Sequence, residues 1–249
     1  MQREELTAYL EDYLSVREIL DYREAYNGLQ VEGRREIKKI AVCVDACLAT
    51  IAQAIALDAD FMIVHHGLFW GAKAPVTGAY YQRLALLIKN DLPLYSCHLP
   101  LDIHPEVGNN AVLARKLGLE PTGTFGEFEG TPIGVTARTE MSRDEFAARV
   151  KTTLNVEPFV IATGPETVRR VAILTGGGGS LIAKAAAVAD TFLTGEGNHH
   201  SYFEAEERGL NVLYAGHYAT ETVGVRALGE HLATRFGLES IFLDHPTGL

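Results

Sequence analysis

The sequence predicts an α/β fold of two similar lobes with mostly parallel sheets, and three observations carry that prediction. Short apolar runs alternate with helix-period segments along nearly the whole chain. Some runs, such as Phe61-Met62-Ile63-Val64, are wholly apolar, as expected of strands covered on both faces. The chain also repeats itself. Val168-Arg169-Arg170-Val171-Ala172-Ile173-Leu174 echoes Ile37-Lys38-Lys39-Ile40-Ala41-Val42-Cys43, and Ala189-Asp190-Thr191-Phe192-Leu193-Thr194 echoes Ala59-Asp60-Phe61-Met62-Ile63-Val64. The expected division is a first lobe over 1–125 and a second over 126–249, with a functional site between them. Pro121, Gly123, Gly126 and Gly130 mark a seam near 121–130, and the C-terminal helix is free to pack back on the first lobe.

Each element has its own signal. Leu6, Tyr9, Leu10, Tyr13, Leu14 and Ile19 lie near helical spacing, so residues 3–20 read as an amphipathic helix. Asn27-Gly28 marks a tight turn. A strand over 37–44 ends at Asp45, an Ala-rich helix covers 46–57, and the strand over 61–64 ends in His65-His66-Gly67. Helices are expected over 78–90 and 106–117, with a strand over 92–97 between them. An irregular stretch follows Gly118, then a strand over 132–137. Ser142 caps the next helix with Glu145 at the capping-box position, and a strand is expected over 156–162. The second copy then supplies a strand over 168–174, an Ala-rich helix, a strand over 189–194, a helix over 200–208, a strand over 211–215 and a helix over 220–235. Residues 240–243 form a last short strand.

With 249 residues, 47% of them hydrophobic, the chain can bury a sizeable core. A formal charge of −10 gives no strong nucleic-acid-binding signal, which requires a basic stripe, but it permits a local basic pocket. Three cysteines fit a reducing compartment without a disulfide framework. No run of ~18 apolar residues would span a bilayer, and the acidic, amphipathic start lacks a signal-peptide pattern. A cytoplasmic location is the expectation.

Two stretches carry the chemistry. Tyr95-Ser96-Cys97-His98-Leu99-Pro100-Leu101-Asp102 and Tyr214-Ala215-Gly216-His217-Tyr218-Ala219-Thr220-Glu221 each read strand, Tyr, two small residues, His, three spacers, carboxylate. Core packing gives no reason to duplicate that pattern. In open parallel sheets ligands collect beyond the C-terminal strand ends. His65, His66, His98, Asp102, His217 and Glu221 all fall at such ends. Four imidazoles and two carboxylates exceed one tetrahedral ion and suit two ions bridged by carboxylates and water. Mixed nitrogen and oxygen donors favour divalent Zn, Mn, Fe, Co or Ni over Mg or Ca. Adjacent strand residues point to opposite faces, so His65 and His66 converge only if the chain leaves the strand there, which Gly67 permits. Pro100 argues for an extended loop over His98–Asp102, whereas His217 and Glu221 share a face if helical.

Softer candidates surround these. Gly176-Gly177-Gly178-Gly179-Ser180 links a strand to a helix without the Lys-Ser/Thr ending of a phosphate-binding loop, so a tight turn is the expected role. Glu196, His199 and His200 occupy the place of His66 and its neighbours in the second copy, and Glu196 and His200 are the candidate catalytic proton carriers. Trp70 is placed at a mouth, His104 in a structural or rim position, and Cys43, Cys47 and Cys97 in the interior.

His65-His66-Gly67-Leu68-Phe69-Trp70, His98-Leu99-Pro100-Leu101-Asp102, Gly108-Asn109-Asn110-Ala111, Thr194-Gly195-Glu196 and Gly216-His217-Tyr218-Ala219-Thr220-Glu221, with Asn27-Gly28-Leu29-Gln30, resemble the YbgI/NIF-three-like family, often labelled "GTP cyclohydrolase 1 type 2 homolog". The resemblance runs from about residue 24 to Asp244 and matches the family's short form. It implies a dinuclear metal site on the six residues above, with Asp102 and Glu221 as bridges, two similar α/β lobes and a toroidal homohexamer. It also implies a metal-dependent hydrolase acting on a nucleotide or related small molecule, with opening of the guanine imidazole ring of GTP as the specific reaction. The rivals are a two-metal phosphoesterase and a non-catalytic metal-binding or partner-docking ring.

Overall fold

Parallel strands occupy the middle of both sheets in the computed structural model, which describes residues 1–70 and 74–249. The chain divides into one unit of Met1–Val107 with Val225–His245 and another of Gly108–Gly224 with Pro246–Leu249.

The first unit contains α1 (Arg3–Tyr13), β1 (Gly28–Val31), β2 (Lys39–Asp45), α2 (Leu48–Ala56), β3 (Phe61–His66), α3 (Gly78–Lys89), β4 (Leu94–Ser96) and α4 (Leu99–Asp102). After the second unit come most of a long helix and β11 (Glu239–Phe242), the last strand of the chain. The strand order is β1-β4-β3-β2-β11, parallel throughout except for β1, which runs antiparallel to β4. Ala41, Cys43, Met62, Val64 and Leu94 pack with Ile51 and Ala54 of α2 and Leu87 of α3. The alternate residues Ile40, Val42, Ile63 and Tyr95 are also buried, which explains the wholly apolar strand sequences.

The second unit contains α5 (Asn109–Lys116), β5 (Pro121–Phe128), β6 (Thr131–Ser142), α6 (Arg143–Leu154), β7 (Phe159–Ala162) and β8 (Thr167–Leu174). A 3₁₀ turn (Gly178–Leu181), α7 (Ile182–Val188), β9 (Thr191–Thr194), α8 (Ser201–Arg208), β10 (Asn211–Tyr214) and the start of α9 (His217–Phe236) complete it. The strand order is β5-β6-β8-β9-β10-β7. The central trio β8-β9-β10 is parallel, while the β5–β6 hairpin and β7 add antiparallel edges. Ser142 Oγ accepts from Glu145 N at 3.1 Å, the N-cap expected for α6.

The repeat is visible inside each unit. Asp60, just before β3, accepts the backbone N–H groups of Lys38 and Lys39 at 2.9 Å; Asp190, just before β9, accepts that of Arg170 at 2.9 Å. Both aspartates thus fix the register of a parallel neighbour.

Three expectations need correction. The seam drawn at 125/126 falls inside the β5–β6 hairpin; the first unit closes at Val107, because α5 and β5 pack on β6 and β8. The irregular stretch after Gly118 is therefore strand β5, which its glycines had hidden; Gly126 takes φ +65° and Gly130 φ +83° at the bends. His98–Asp102 is not an extended loop but a single helical turn, α4, with Pro100 inside its first turn, where a proline has no intrahelical N–H to lose. Among the described residues no helix is long and apolar enough to cross a membrane.

Candidate metal centre

In the first unit the strand ends deliver three imidazoles to one place. His65 and His66 finish β3, and His98 is the N-cap of α4, just beyond β4. Their ring centroids are 4.6 Å (65–66), 4.9 Å (65–98) and 5.7 Å (66–98) apart. Each offers a nitrogen within 4.8 Å of the others. The neighbours His65 and His66 converge, their rings tilted by 44°, because the strand stops at His66.

The outward nitrogens are all held by oxygen. His65 Nδ1 lies 3.0 Å from the Cys97 carbonyl, His66 Nδ1 2.9 Å from Asp45 Oδ1, and His98 Nδ1 2.9 Å from Asp21 Oδ1. An oxygen acceptor at Nδ1 fixes the proton there and presents Nε2 as the basic, ligand-ready nitrogen. His98 is fixed further by its N–H, which donates to Asn27 Oδ1 at 2.8 Å. Asp102, one turn along α4, places Oδ1 3.5 Å from His65 Nε2 and is buried. Burial alone would raise the Asp21 carboxyl, but its bonds to His98, Asn27 and the Leu99 N–H hold it below the ordinary carboxylate range.

The second unit repeats the device with fewer imidazoles. His217 opens α9 and Glu221 follows one turn later; His217 Nε2 and Glu221 Oε1 are 3.2 Å apart. His217 Nδ1 lies 3.0 Å from Glu196 Oε1. The hydrogen bond to Glu221 overcomes burial and, with Glu196, raises the His217 pKa to about 9. Loop contacts fix this geometry. Gly176 N donates to Thr220 Oγ1 at 3.0 Å, and the Gly176 carbonyl accepts from Gly195 N and Glu196 N at 3.0 and 3.1 Å. Gly176 sits at φ +69°, and a Cβ there would strike the Glu221 carboxylate. The glycine-rich turn therefore gives close backbone approach beside Glu221.

The three imidazoles of the first unit form a possible metal-ligand group by themselves, whereas the second unit offers His217 with Glu221. The first unit's imidazoles, with Nδ1 engaged, could hold a metal ion through Nε2, whereas His217, its pKa raised to about 9, must first release a proton. The remaining candidates fall elsewhere. His200 is exposed, immediately before α8, and belongs to none of the possible metal-ligand groups among the described residues. His199 packs edge-on against Phe203. His104 is structural: Nε2 donates to the Tyr13 carbonyl at 3.0 Å, Nδ1 accepts two backbone N–H groups, and burial lowers its pKa. Burial pushes the Cys43 and Cys97 thiols far up, so neither competes as a thiolate ligand, while Cys47, expected in the interior, is only half-buried. Sequence reasoning missed Asp21, Asp45 and the Cys97 carbonyl. Only Asp45 had a signal, its place at the end of a strand beside β3.

A family model described as Duf34/NIF3 (NGG1p interacting factor 3) matches residues 1–247. The chain belongs to the Duf34/NIF3 family. A Duf34/NIF3 relative from Pyrococcus abyssi, called GTP cyclohydrolase 1 type 2 homolog, is 44% identical over 100% of both chains. A namesake from Deinococcus radiodurans is 43% identical over 99% of this chain and 94% of its own. Among solved structures, protein ybgI, of unknown function, superposes with a TM-score of 0.93 at 41% identity, covering 100% of both chains. TTHA1606 from Thermus thermophilus gives 0.92 at 44%, again over 100% of both. These Duf34/NIF3 relatives agree with the family resemblance read from the sequence motifs.

Proposed function

We propose that this Duf34/NIF3 chain is a dinuclear-metal-dependent hydrolase of a nucleotide or related small molecule, with guanine-ring opening of GTP as its reaction. His65, His66, His98, Asp102, His217 and Glu221 would hold two divalent transition ions, with Asp102 and Glu221 as bridges. The observation that carries the reading is that all four imidazoles have Nδ1 engaged by an oxygen acceptor. Packing alone has no need to engage Nδ1 four times over. The ions, when bound, would polarise the electrophile and bring the pKa of water toward neutrality. Asp21 and Asp45 keep His98 and His66 in the ligating tautomer. Glu196 orients His217 through Nδ1, and its second carboxylate oxygen is available as a proton carrier near the site. The name borne by the relatives supports the choice of GTP.

The test is elemental analysis of purified protein, followed by incubation of metal-replete protein with GTP and assay for formate. About two transition ions per chain and formate release lost in Glu221→Gln are the expected results. Metal without formate would remove the cyclohydrolase reading; absence of metal uptake would remove the whole. A homohexamer belongs to the same proposal, and light scattering in solution tests it.

A further inference from the structure

A second constellation lies in the first unit beside the His65–His66–His98 cluster. A cavity of about 620 Å³ is lined by Arg23, Tyr26, Phe69, Trp70 and Arg83, among others. Its walls are tied together. Ala25 and Trp70 form an antiparallel bridge, and Tyr26 N donates to the Phe69 carbonyl at 3.2 Å. Gln30 staples the same two segments: Oε1 accepts Leu68 N at 2.7 Å, and Nε2 donates to the Tyr26 carbonyl at 2.7 Å. A Cβ at Gly67 would strike the Gln30 amide and Ser96 Oγ, so Gln30 holds this place beside a glycine. The Asn27-Gly28-Leu29-Gln30 motif therefore does two things: Asn27 holds His98, and Gln30 builds the cavity wall.

The cavity's charge is unusual for this chain. The net charge is −10, yet neither Arg23 nor Arg83 has an ion-pair or hydrogen-bond partner among the described residues, and Nε of Arg83 is buried without one. The Arg83 guanidinium instead lies 5.9 Å from the Tyr80 ring. Glu24 also lines the cavity and pairs with neither arginine. Trp70 joins this cavity to the imidazoles: its ring is 4.8 Å from His98 and 6.0 Å from His66, edge to face with both.

We propose that this cavity binds the phosphate of a nucleotide, with Arg23 and Arg83 gripping phosphate oxygens and the exposed Trp70 indole stacking on the base. Guanidinium groups match phosphate geometry with paired N–H donors, and an indole face stacks on any base. Such a ligand would lie beside the imidazole cluster. The choice of a nucleotide rests on the hydrolase reading above, but the test reads binding, without turnover.

Trp70 is the chain's one tryptophan, so its fluorescence reports on this cavity and on the His66–His98 edge it touches, and the arginine variants tell the two apart. Metal-replete protein is titrated with GMP, guanosine and inorganic phosphate, with parallel calorimetry. GMP should bind at least about tenfold more tightly than guanosine and change the Trp70 emission. Arg83→Gln and, separately, the exposed Arg23→Gln should each weaken GMP about tenfold, leaving guanosine affinity and metal content unchanged. Phosphate binding that is equally sensitive to both variants, but with no preference for GMP, would overturn the nucleotide assignment. Equal GMP affinity in wild-type and both variants, or calorimetric GMP binding without a Trp70 response, would overturn the site. Absence of GTP turnover leaves these outcomes readable and bears only on the hydrolase reading.

Discussion

Asp21→Asn should damage the metal centre more than any other substitution outside the six candidate ligands, and the hydrogen bonds explain why. The Asp21 side chain is 4% exposed and accepts four bonds. Oδ1 takes His98 Nδ1 at 2.9 Å and Tyr22 N at 2.7 Å; Oδ2 takes Leu99 N at 2.9 Å and Asn27 Nδ2 at 2.8 Å. An asparagine has one acceptor oxygen, so its NH₂ must face one of these donor pairs. If it faces Leu99 and Asn27, two donors are left opposed. Asn27 cannot flip to relieve this, because its own Oδ1 already accepts His98 N. If the NH₂ faces His98, Nδ1 must become the acceptor and the proton moves to Nε2, the ligand nitrogen. Either way something is lost. Two unsatisfied or opposed donors cost about 2–5 kcal/mol, and a lost orienting partner lowers metal affinity about 10–100-fold. Thermal melts of chelator-treated protein and competitive metal titrations measure the two effects separately. Asp45→Asn, at a side chain 39% exposed with one bond to His66, should show the metal effect weakly and little loss of stability. Wild-type metal affinity in Asp21→Asn would refute the idea that Nδ1 capture organises this site.

Gly176→Ala should lower melting temperature and metal content together, since a Cβ there meets the Glu221 carboxylate and φ +69° adds about 1 kcal/mol of strain; loss of stability with full metal content would contradict Glu221 as a ligand. Asp60 gives a pH signature. Burial would raise its carboxyl, but the N–H groups of Lys38 and Lys39 and the Arg34 guanidinium hold it low. A folded pKa below the unfolded one stabilises above pH ~4 and is lost as pH falls through the folded value. Asp60→Asn should therefore cost about 1–3 kcal/mol at pH 7, and the gap from wild type in denaturant melts should close in acid. His200→Ala should leave metal content and any formate release within about twofold, because His200 is exposed and in none of the possible metal-ligand groups; a larger loss of turnover with metal retained would assign it as a proton carrier.

The parts legible in the sequence were those with short-range causes. Short apolar runs gave β3 and β10, the Ser142–Glu145 cap gave α6, and the repeated strand–His–carboxylate pattern gave the candidate ligands. What escaped depended on distant partners. Strand β5, with Gly123 and Gly126, has little intrinsic strand character and is held by its pairing with β6. Pro100 misled because one rule covers two situations: a proline breaks a helix interior but not a first turn. Asp21 lies 77 residues from the histidine it orients, within a stretch that carries no periodic signal.

The spacing of the orienting carboxylates points to a cause in the fold itself. Asp45 precedes His66 by 21 residues, and Glu196 precedes His217 by 21. Each carboxylate lies at or just past the end of one strand, and its histidine at or just past the end of the adjacent parallel strand, β2 to β3 and β9 to β10. A strand, a crossover helix and a return strand need roughly that length, so the spacing follows from the crossover unit and not from the chemistry of either site. In the register of the repeat, however, Glu196 occupies the place of His66. A position that offers an imidazole in the first copy therefore offers an orienting carboxylate in the second, and Gly195 stands in the place of His65, so the second unit brings His217 and Glu221 where the first brings three histidines and Asp102. Glu196→His should consequently remove the Nδ1 acceptor of His217 and add a competing donor. Metal titration of that variant is expected to give altered stoichiometry or a weakened second site; unchanged stoichiometry and affinity would mean that the two copies do not share this division of labour.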